Sequence, residues 1–344
     1  MRAVNVAIVG ATGAVGQELI GMLSSRSFPV GELRLLASAR SAGREMDTPF
    51  GTISVAEATE SSFSGVDLAF FSAGASISRA LANAAVRAGA VVIDNTSAFR
   101  MEEGVPLVVP EVNSEAVREH QGIIANPNCS TIILVVVLKP IYDLAGIRRV
   151  VVSTYQAVSG VGLRGIEALE METRACLDGG EPEPSVMPYV SSPVHHQIAF
   201  NLIPHLDVFE AEGYTKEELK MVNETRKIMG VDDMAVSPTA VRVPVFRCHS
   251  ESLNVETERR VSVLELRSAL MAAPGVKIMD DTSAASYPMP AYLSRKDDVY
   301  VGRIRRDISC DSAFNLWIVG DQIRKGAALN AVQIGEYMLR EDLI

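Results

Sequence analysis

The chain is poor in the features that would tie it to nucleic acid, a membrane or a disulfide scaffold. It has no Lys/Arg-rich run, and 42 acidic against 32 basic residues give a net charge of -10. Binding to a nucleic-acid backbone is therefore not expected. Its four cysteines, Cys129, Cys176, Cys248 and Cys310, show no CxxC spacing. That argues against a disulfide framework or a zinc site, and the expectation is no metal and a reducing cytoplasm. The longest purely aliphatic run, Ile132–Leu138, is too short to cross a bilayer. The Met1–Gly10 stretch does not read as a signal peptide, because its short apolar run flows straight into a glycine turn. No internal repeat and no low-complexity tract occurs.

What remains is an ordinary globular composition. The 344 residues suffice for one large or two medium domains, and 48% of them are apolar. Apolar runs at Val4–Val9, Leu33–Ala37, Val66–Phe71, Ala90–Ile93 and Gly122–Ala125 read as strands. Helical patterns at Gln17–Ser24 and Ser78–Ala88 lie between them. Continuous apolar strands separated by helices predict a parallel sheet covered on both faces. From about Arg148 the texture changes. Arg149–Tyr155, Val241–Val245 and Ser250–Glu256 read as strands, the last with one solvated face. Thr215–Met229, with a Thr-x-x-Glu start, and Val261–Ala272, opened by Ser262, read as helices. Gly180–Pro204, rich in Pro, Ser and His, reads as a long loop or an excursion onto a partner, and Gly326–Arg340 as an Ala-rich helix.

Two segments carry chemistry. The first is Gly10-Ala11-Thr12-Gly13-Ala14-Val15-Gly16, placed between a strand and a helix. Glycines there allow a tight turn, close approach of backbone to a pyrophosphate, and close helix–strand packing. The helix N-terminus adds free N–H groups and a positive dipole end. The cofactor-binding set is thus Gly10, Thr12, Gly13, Ala14, Val15 and Gly16. After the second strand, Ser38, Arg40 and Ser41 stand where an NAD enzyme often has an acidic residue, and Ala37–Gly43 contains no carboxylate. Hydroxyls and a guanidinium suit a ribose 2′-phosphate, which favours NADP over NAD, although a solvated loop would carry the same residues.

The second is Asn126-Pro127-Asn128-Cys129-Ser130-Thr131, directly before the aliphatic run. A helix starting there puts Cys129 in its first turn. The dipole then favours the thiolate, and free N–H groups can hold an oxyanion. A lone cysteine beside an apolar run is more often a small core residue. A histidine at a strand end, His249 within Arg242–Glu251, supplies the acid or base such a thiol needs.

Taken in order, Gly10–Gly16, Asp94–Arg100, Pro110–Asn113, Asn126–Thr131, Tyr155–Gly160, Arg242–Glu251 and Gly320–Ala328 resemble aspartate-β-semialdehyde dehydrogenase over essentially the whole chain. The resemblance implies an α/β fold with a Rossmann-type NADP-binding domain over 1–128, joined by a C-terminal helix 320–344, and an α/β catalytic and dimerisation domain over 129–319. It implies NADPH-dependent reductive dephosphorylation of L-aspartyl 4-phosphate to L-aspartate 4-semialdehyde, in the branch making lysine, threonine, methionine and isoleucine. By the same resemblance Cys129 is the nucleophile, His249 the acid/base, and Gln156 the residue orienting the acyl group. Arg242 would pair with the substrate α-carboxylate, Glu224 with its amino group, and Arg100 and Lys227 with phosphate. Asn128 joins that substrate set. Ser159, Gly160 and Gln322 would contact the cofactor near the nicotinamide, and the molecule would be a homodimer. Glu224 and Lys227, at i and i+3, have a surface ion pair as the lesser alternative.

Two other readings share these residues. One is a different acyl-phosphate reductase of the same architecture, such as N-acetylglutamyl-phosphate reductase or a glyceraldehyde-3-phosphate dehydrogenase. The other is a non-catalytic paralogue that keeps the fold as a nucleotide-binding module.

Overall fold

The computed structural model describes residues 2–344. It divides into two compact units, one formed by 2–128 with 326–344 and the other by 129–325.

The first unit is built on a six-stranded sheet of order β5-β2-β1-β6-β7-β8, parallel at every pairing. Its strands are β1 (Val4–Val9), β2 (Val30–Ala37), β5 (Ala56–Glu57), β6 (Leu68–Phe71), β7 (Val91–Asp94) and β8 (Ile123–Ala125), while β3 (Glu45–Thr48) and β4 (Gly51–Ser54) form a separate antiparallel pair. Helices α1 (Ala14–Ser25), α2 (Ala75–Arg87) and the short α3 (Pro110–Asn113) complete it, with the C-terminal helix below. Two apolar clusters explain the unbroken runs in the sequence. Val6 and Ile8 of β1 belong to one with Leu19 and Leu23 of α1, and Ala7 and Val9 to the other with Ala82 and Ala85 of α2. Each fully buried Ile or Leu contributes about 1.5–3 kcal/mol.

The second unit contains α4 (Cys129–Ala145), β9 (Arg149–Gln156), α5 (Leu163–Leu177), α6 (Lys216–Met229), β10 (Ala235–Arg242), β11 (His249–Glu256), α7 (Val263–Ala272), β12 (Val276–Ile278), α8 (Pro290–Leu293), β13 (Val299–Arg306) and β14 (Ala313–Gly320). Its sheet runs β10-β9-β11-β14-β13-β12 and is mixed. β9, β11 and β14 pair antiparallel, whereas β10 lies parallel to β9 and β12 to β13. Alternate residues of β9 and β11 are only half-buried, so the alternation read in Ser250–Glu256 reflects a real second face. Capping boxes start α6 at Thr215/Glu218 and α7 at Ser262/Glu265. No helix or strand falls in 180–204.

The strand expected at Val241–Val245 is displaced. β10 ends at Arg242, and Val243 to Cys248 form a connection. Pro244 cannot donate to a ladder, and it stops the strand. Strands β13 and β14 and helix α5 are additions to the sequence reading. The last helix is regular only from α9 (Leu329–Arg340), after a π-helical turn over Arg324–Ala328. In the first unit α9 contributes Leu329, Val332 and Met338 to the core around β1.

Candidate active site

The glycine loop sits where β1 meets α1. Gly10 has φ +91, and a Cβ there would lie 2.9 Å from the backbone of Ser72. A Cβ on Gly16 would lie 2.3 Å from the Gly10 carbonyl oxygen. These two positions fix the turn and the helix–strand contact, and only glycine fits either. Gly13 is the N-cap of α1 and makes no side-chain cap. Thr12, Ala14 and Val15 complete the loop, leaving main-chain N–H groups as the donors for an anion. Ser38, Arg40 and Ser41 follow β2 around a single 3₁₀ turn, with Ser38 and Arg40 exposed. In the same unit Arg100 is buried, and its guanidinium donates to the carbonyls of Asn126 at 2.9 Å and Asn95 at 2.8 Å. Asn128, also buried, ends this stretch of chain.

The second unit brings the thiol chemistry together. Cys129 is the first residue of α4 and half-buried. Its place in the first turn faces it with the positive end of the helix. No disulfide engages any of the four cysteines. Cys248 is distinguished from Cys129 by burial, which pushes its thiol up to about 12, so it stays protonated and inert.

His249 starts β11, fully buried, next to Gln156 at the end of β9. Its Nδ1 accepts the Ala157 N–H at 3.0 Å, which leaves the ring proton of the neutral imidazole on Nε2. Nε2 lies 3.5 Å from the Gln156 amide nitrogen. Burial, then the charge of Arg242, pushes the histidine down to about 3, against an opposing pull from Glu217. Both effects favour the neutral imidazole. Gln156 is held at both ends: its carbonyl accepts the Thr154 hydroxyl at 3.0 Å and its amide donates to Glu217 at 3.1 Å.

Arg242 ends β10, and β10 pairs with β9 so that Arg242 is opposite Gln156. Its guanidinium is buried, with Nη1 donating to the Ala157 carbonyl at 2.7 Å and Nε without a partner. Burial pulls its pKa down, while the negative charges of Glu217 and Cys129 hold it up. A buried cationic donor left unsatisfied is costly, and an anionic ligand removes that cost. The chain wraps closely here: a Cβ on Gly160 would lie 2.7 Å from Arg242 Nη1 and 3.5 Å from His249 Cε1. Ser159, buried beside it, accepts from the Gln322 amide. On α6, Glu224 is buried and Lys227 half-buried, one turn apart. The sequence reading missed Glu217, whose one clue was its place in the acidic first turn of α6. Among the described residues no group of three or more His, Cys, Asp or Glu could hold a metal ion, and no helix is long and apolar enough to cross a membrane.

A doubly covered parallel sheet with a glycine turn, and a mixed-sheet unit with a thiol at a helix start beside a buried His–Gln–Arg set, define an α/β oxidoreductase of the thiol-dehydrogenase class. The family models agree. A semialdehyde dehydrogenase NAD-binding domain matches residues 5–120 and a semialdehyde dehydrogenase dimerisation domain matches 138–325. The aspartate-semialdehyde dehydrogenase of Bacillus subtilis (strain 168) is 51% identical over 344 residues, covering 100% of this chain and 99% of the relative. That of Aquifex aeolicus (strain VF5) is 53% identical over 343 residues, covering 98% and 99%. A crystal structure of aspartate semialdehyde dehydrogenase II from Vibrio cholerae complexed with ASA superposes with a TM-score of 0.93 at 47% identity, covering 99% of both chains. The Candida albicans aspartate semialdehyde dehydrogenase with NADP gives 0.76 at 25% identity, covering 99% of this chain and 100% of that one. The chain belongs to the aspartate-semialdehyde dehydrogenase family.

Proposed function

We propose that this chain reduces L-aspartyl 4-phosphate to L-aspartate 4-semialdehyde with NADPH, releasing phosphate, through a thioester on Cys129. One observation carries the proposal: the second unit places a thiol in the first turn of a helix and builds Gln156, Arg242 and His249 into one buried network. The Cys129 thiolate attacks the acyl carbon, and the C–O bond to phosphate breaks as the thioester forms. Bound NADPH supplies the hydride to the thioester carbon. The resulting alkoxide collapses, expelling the thiolate and giving the aldehyde. The proton of the overall balance ends on the released phosphate.

Each residue has a physical task. His249 offers Nε2–H to the developing oxyanion and handles the proton traffic of the site. The N–H groups of the first turn of α4 share the oxyanion. Gln156, fixed at both amide ends, orients the acyl group. Arg242 pairs with the α-carboxylate, Glu224 with the ammonium, and Arg100, Lys227 and Asn128 serve the phosphate end. The glycine loop fits a dinucleotide, since its two crowded glycines shape a turn whose donors are main-chain N–H groups. Arg40, Ser38 and Ser41 would hold the 2′-phosphate, and Ser159, Gly160 and Gln322 the nicotinamide end. The family's dimerisation domain supports a homodimer, and the absence of a membrane-crossing helix among the described residues fits a cytoplasmic enzyme.

The test is the reverse reaction. Phosphate-dependent NADP reduction should proceed with aspartate semialdehyde and fall to background with N-acetylglutamate semialdehyde. Activity only with the acetylated aldehyde would transfer the chain to the other acyl-phosphate reductase. No reaction with either would favour a nucleotide-binding module.

A further inference from the structure

The residue before His249 has a backbone conformation that its side chain does not favour. Cys248 has φ 74, in the left-handed region where glycine is at home. The side chain is fully buried against Leu293 and Val319, so its position is fixed by packing as well. A strained residue persists only where its surroundings over-determine it. Here the surroundings are Asp321 and Gln322, the two residues that follow β14.

Gln322 is buried, and both ends of its amide are engaged inside the protein. Its carbonyl oxygen accepts the Cys248 N–H at 2.8 Å, and its nitrogen donates to the Ser159 hydroxyl. Asp321 is buried beside it. One carboxylate oxygen accepts from the Arg247 guanidinium at 2.6 Å and from the Arg295 N–H at 2.7 Å. The other accepts the N–H of Ile323 at 3.0 Å and of Arg324 at 3.2 Å. Arg247, Cys248 and His249 are consecutive, so the two residues grip the chain immediately before the imidazole. Gln322 also grips Ser159, two residues after Ala157, whose N–H holds His249 Nδ1.

We infer that Asp321 and Gln322 form a clamp that locks Cys248 left-handed and thereby aims His249, giving Gln322 a positioning task beside its place at the nicotinamide end. The clamp fixes the imidazole twice: at the start of its own strand and, through Ser159, at the turn that holds Nδ1. Arg247 and Asp321 supply the charge-assisted part of the grip. Gln322 supplies the part that a hydrophobic residue of the same length cannot. The inference rests on the reading of His249 as the ring serving Cys129.

The test uses glycine at the strained position. Gln322→Met keeps the volume and removes both hydrogen bonds. It should lower kcat at least ten-fold, a loss that a purely cofactor-binding role, felt in NADPH affinity alone, would not give. Cys248→Gly, which is at ease at φ 74, should then restore kcat to within about three-fold of the Cys248→Gly single variant. Loss of NADPH affinity with kcat retained, or no restoration by glycine, would overturn the clamp and leave Gln322 a cofactor contact. Should the double variant not fold, amide exchange at Cys248 in Gln322→Met decides the matter. Exchange at least ten-fold faster supports the clamp, and unchanged protection contradicts it. All readouts are ratios on one substrate, so a clamp that fails leaves the activity itself measured. An enzyme without phosphate-dependent turnover would instead sink the reading beneath it.

Discussion

Two buried carboxyl groups, one in each unit, are treated in opposite ways. Asp94 of β7 accepts from the Ser78 hydroxyl at 2.8 Å, from the Thr96 hydroxyl at 2.8 Å and from the Thr96 N–H at 3.1 Å. Glu251 of β11 is just as buried, and neither of its oxygens has a hydrogen-bond partner. The basic groups differ in the same sense. Arg100 in the first unit spends its guanidinium on two carbonyls, whereas Arg242 in the second keeps an unsatisfied Nε in full burial. Among the described residues, no buried side-chain polar atom of the first unit lacks a partner. The second leaves Glu172, His195 and His205 with an unpartnered polar atom away from the site, and Arg242 and Glu251 with theirs on β10 and β11, either side of β9. Such groups are costly, and a ligand or a reaction can use the two beside β9.

If that contrast is functional, changes in the second unit should act on catalysis and on pH dependence. The largest effect belongs to His249→Asn, which should lower kcat about 10²–10⁴-fold with NADPH binding intact, by steady-state kinetics and cofactor titration. Arg242→Lys keeps the charge and loses the fork. It should lower kcat/KM for the semialdehyde about 10–100-fold, as expected for losing a hydrogen bond between charged groups. A change confined to kcat would break the assignment to the α-carboxylate.

Glu251 sharpens the contrast through pH. Burial raises its pKa well above 4.5, so the folded protein binds a proton that the unfolded chain does not. The stability this gives is complete below 4.5 and is lost as pH rises through the raised value. The loss runs at about 1.4 kcal/mol per pH unit. Glu251→Gln should abolish that slope, seen as a melting temperature that gains on wild type as pH rises. His249 works in the opposite direction. Its pKa, pushed down to about 3 from 6.5, gives stability that is present above 6.5 and lost as pH falls towards 3. The smallest effect is in the first unit. Arg40 is exposed, so Arg40→Ala should weaken NADPH about five-fold while leaving NADH unchanged, measured by fluorescence titration. Equal losses would mean that this turn does not read the 2′-phosphate.

The two units also differed in how openly the sequence described them. In the first unit, strands buried on both faces leave unbroken apolar runs, and Val4–Val9 was readable to the residue. Glycine cannot be replaced at positions 10 and 16, so the loop announces itself. In the second unit half of each strand faces outward, and the apolar signal of β13 is interrupted by Arg303, Arg305 and Arg306. Pro244 and the left-handed Cys248 break the segment between β10 and β11, so the strand expected at Val241–Val245 ends at Arg242 instead. Cys129 and His249 carried local signals: the start of an aliphatic helix and the start of a strand. Asp321 and the unsatisfied Glu251 carried none, and Glu217 only its place in an acidic first turn, because their roles depend on partners far apart in the chain.

The most direct measurement is a turnover stopped before phosphate enters. Enzyme mixed with aspartate semialdehyde and NADP in phosphate-free buffer should release one NADPH per active site in a burst. Peptide mapping should then find an aspartyl thioester on Cys129, and added phosphate should discharge it. A burst without an adduct on Cys129, or an undiminished burst in Cys129→Ala, would contradict the covalent mechanism.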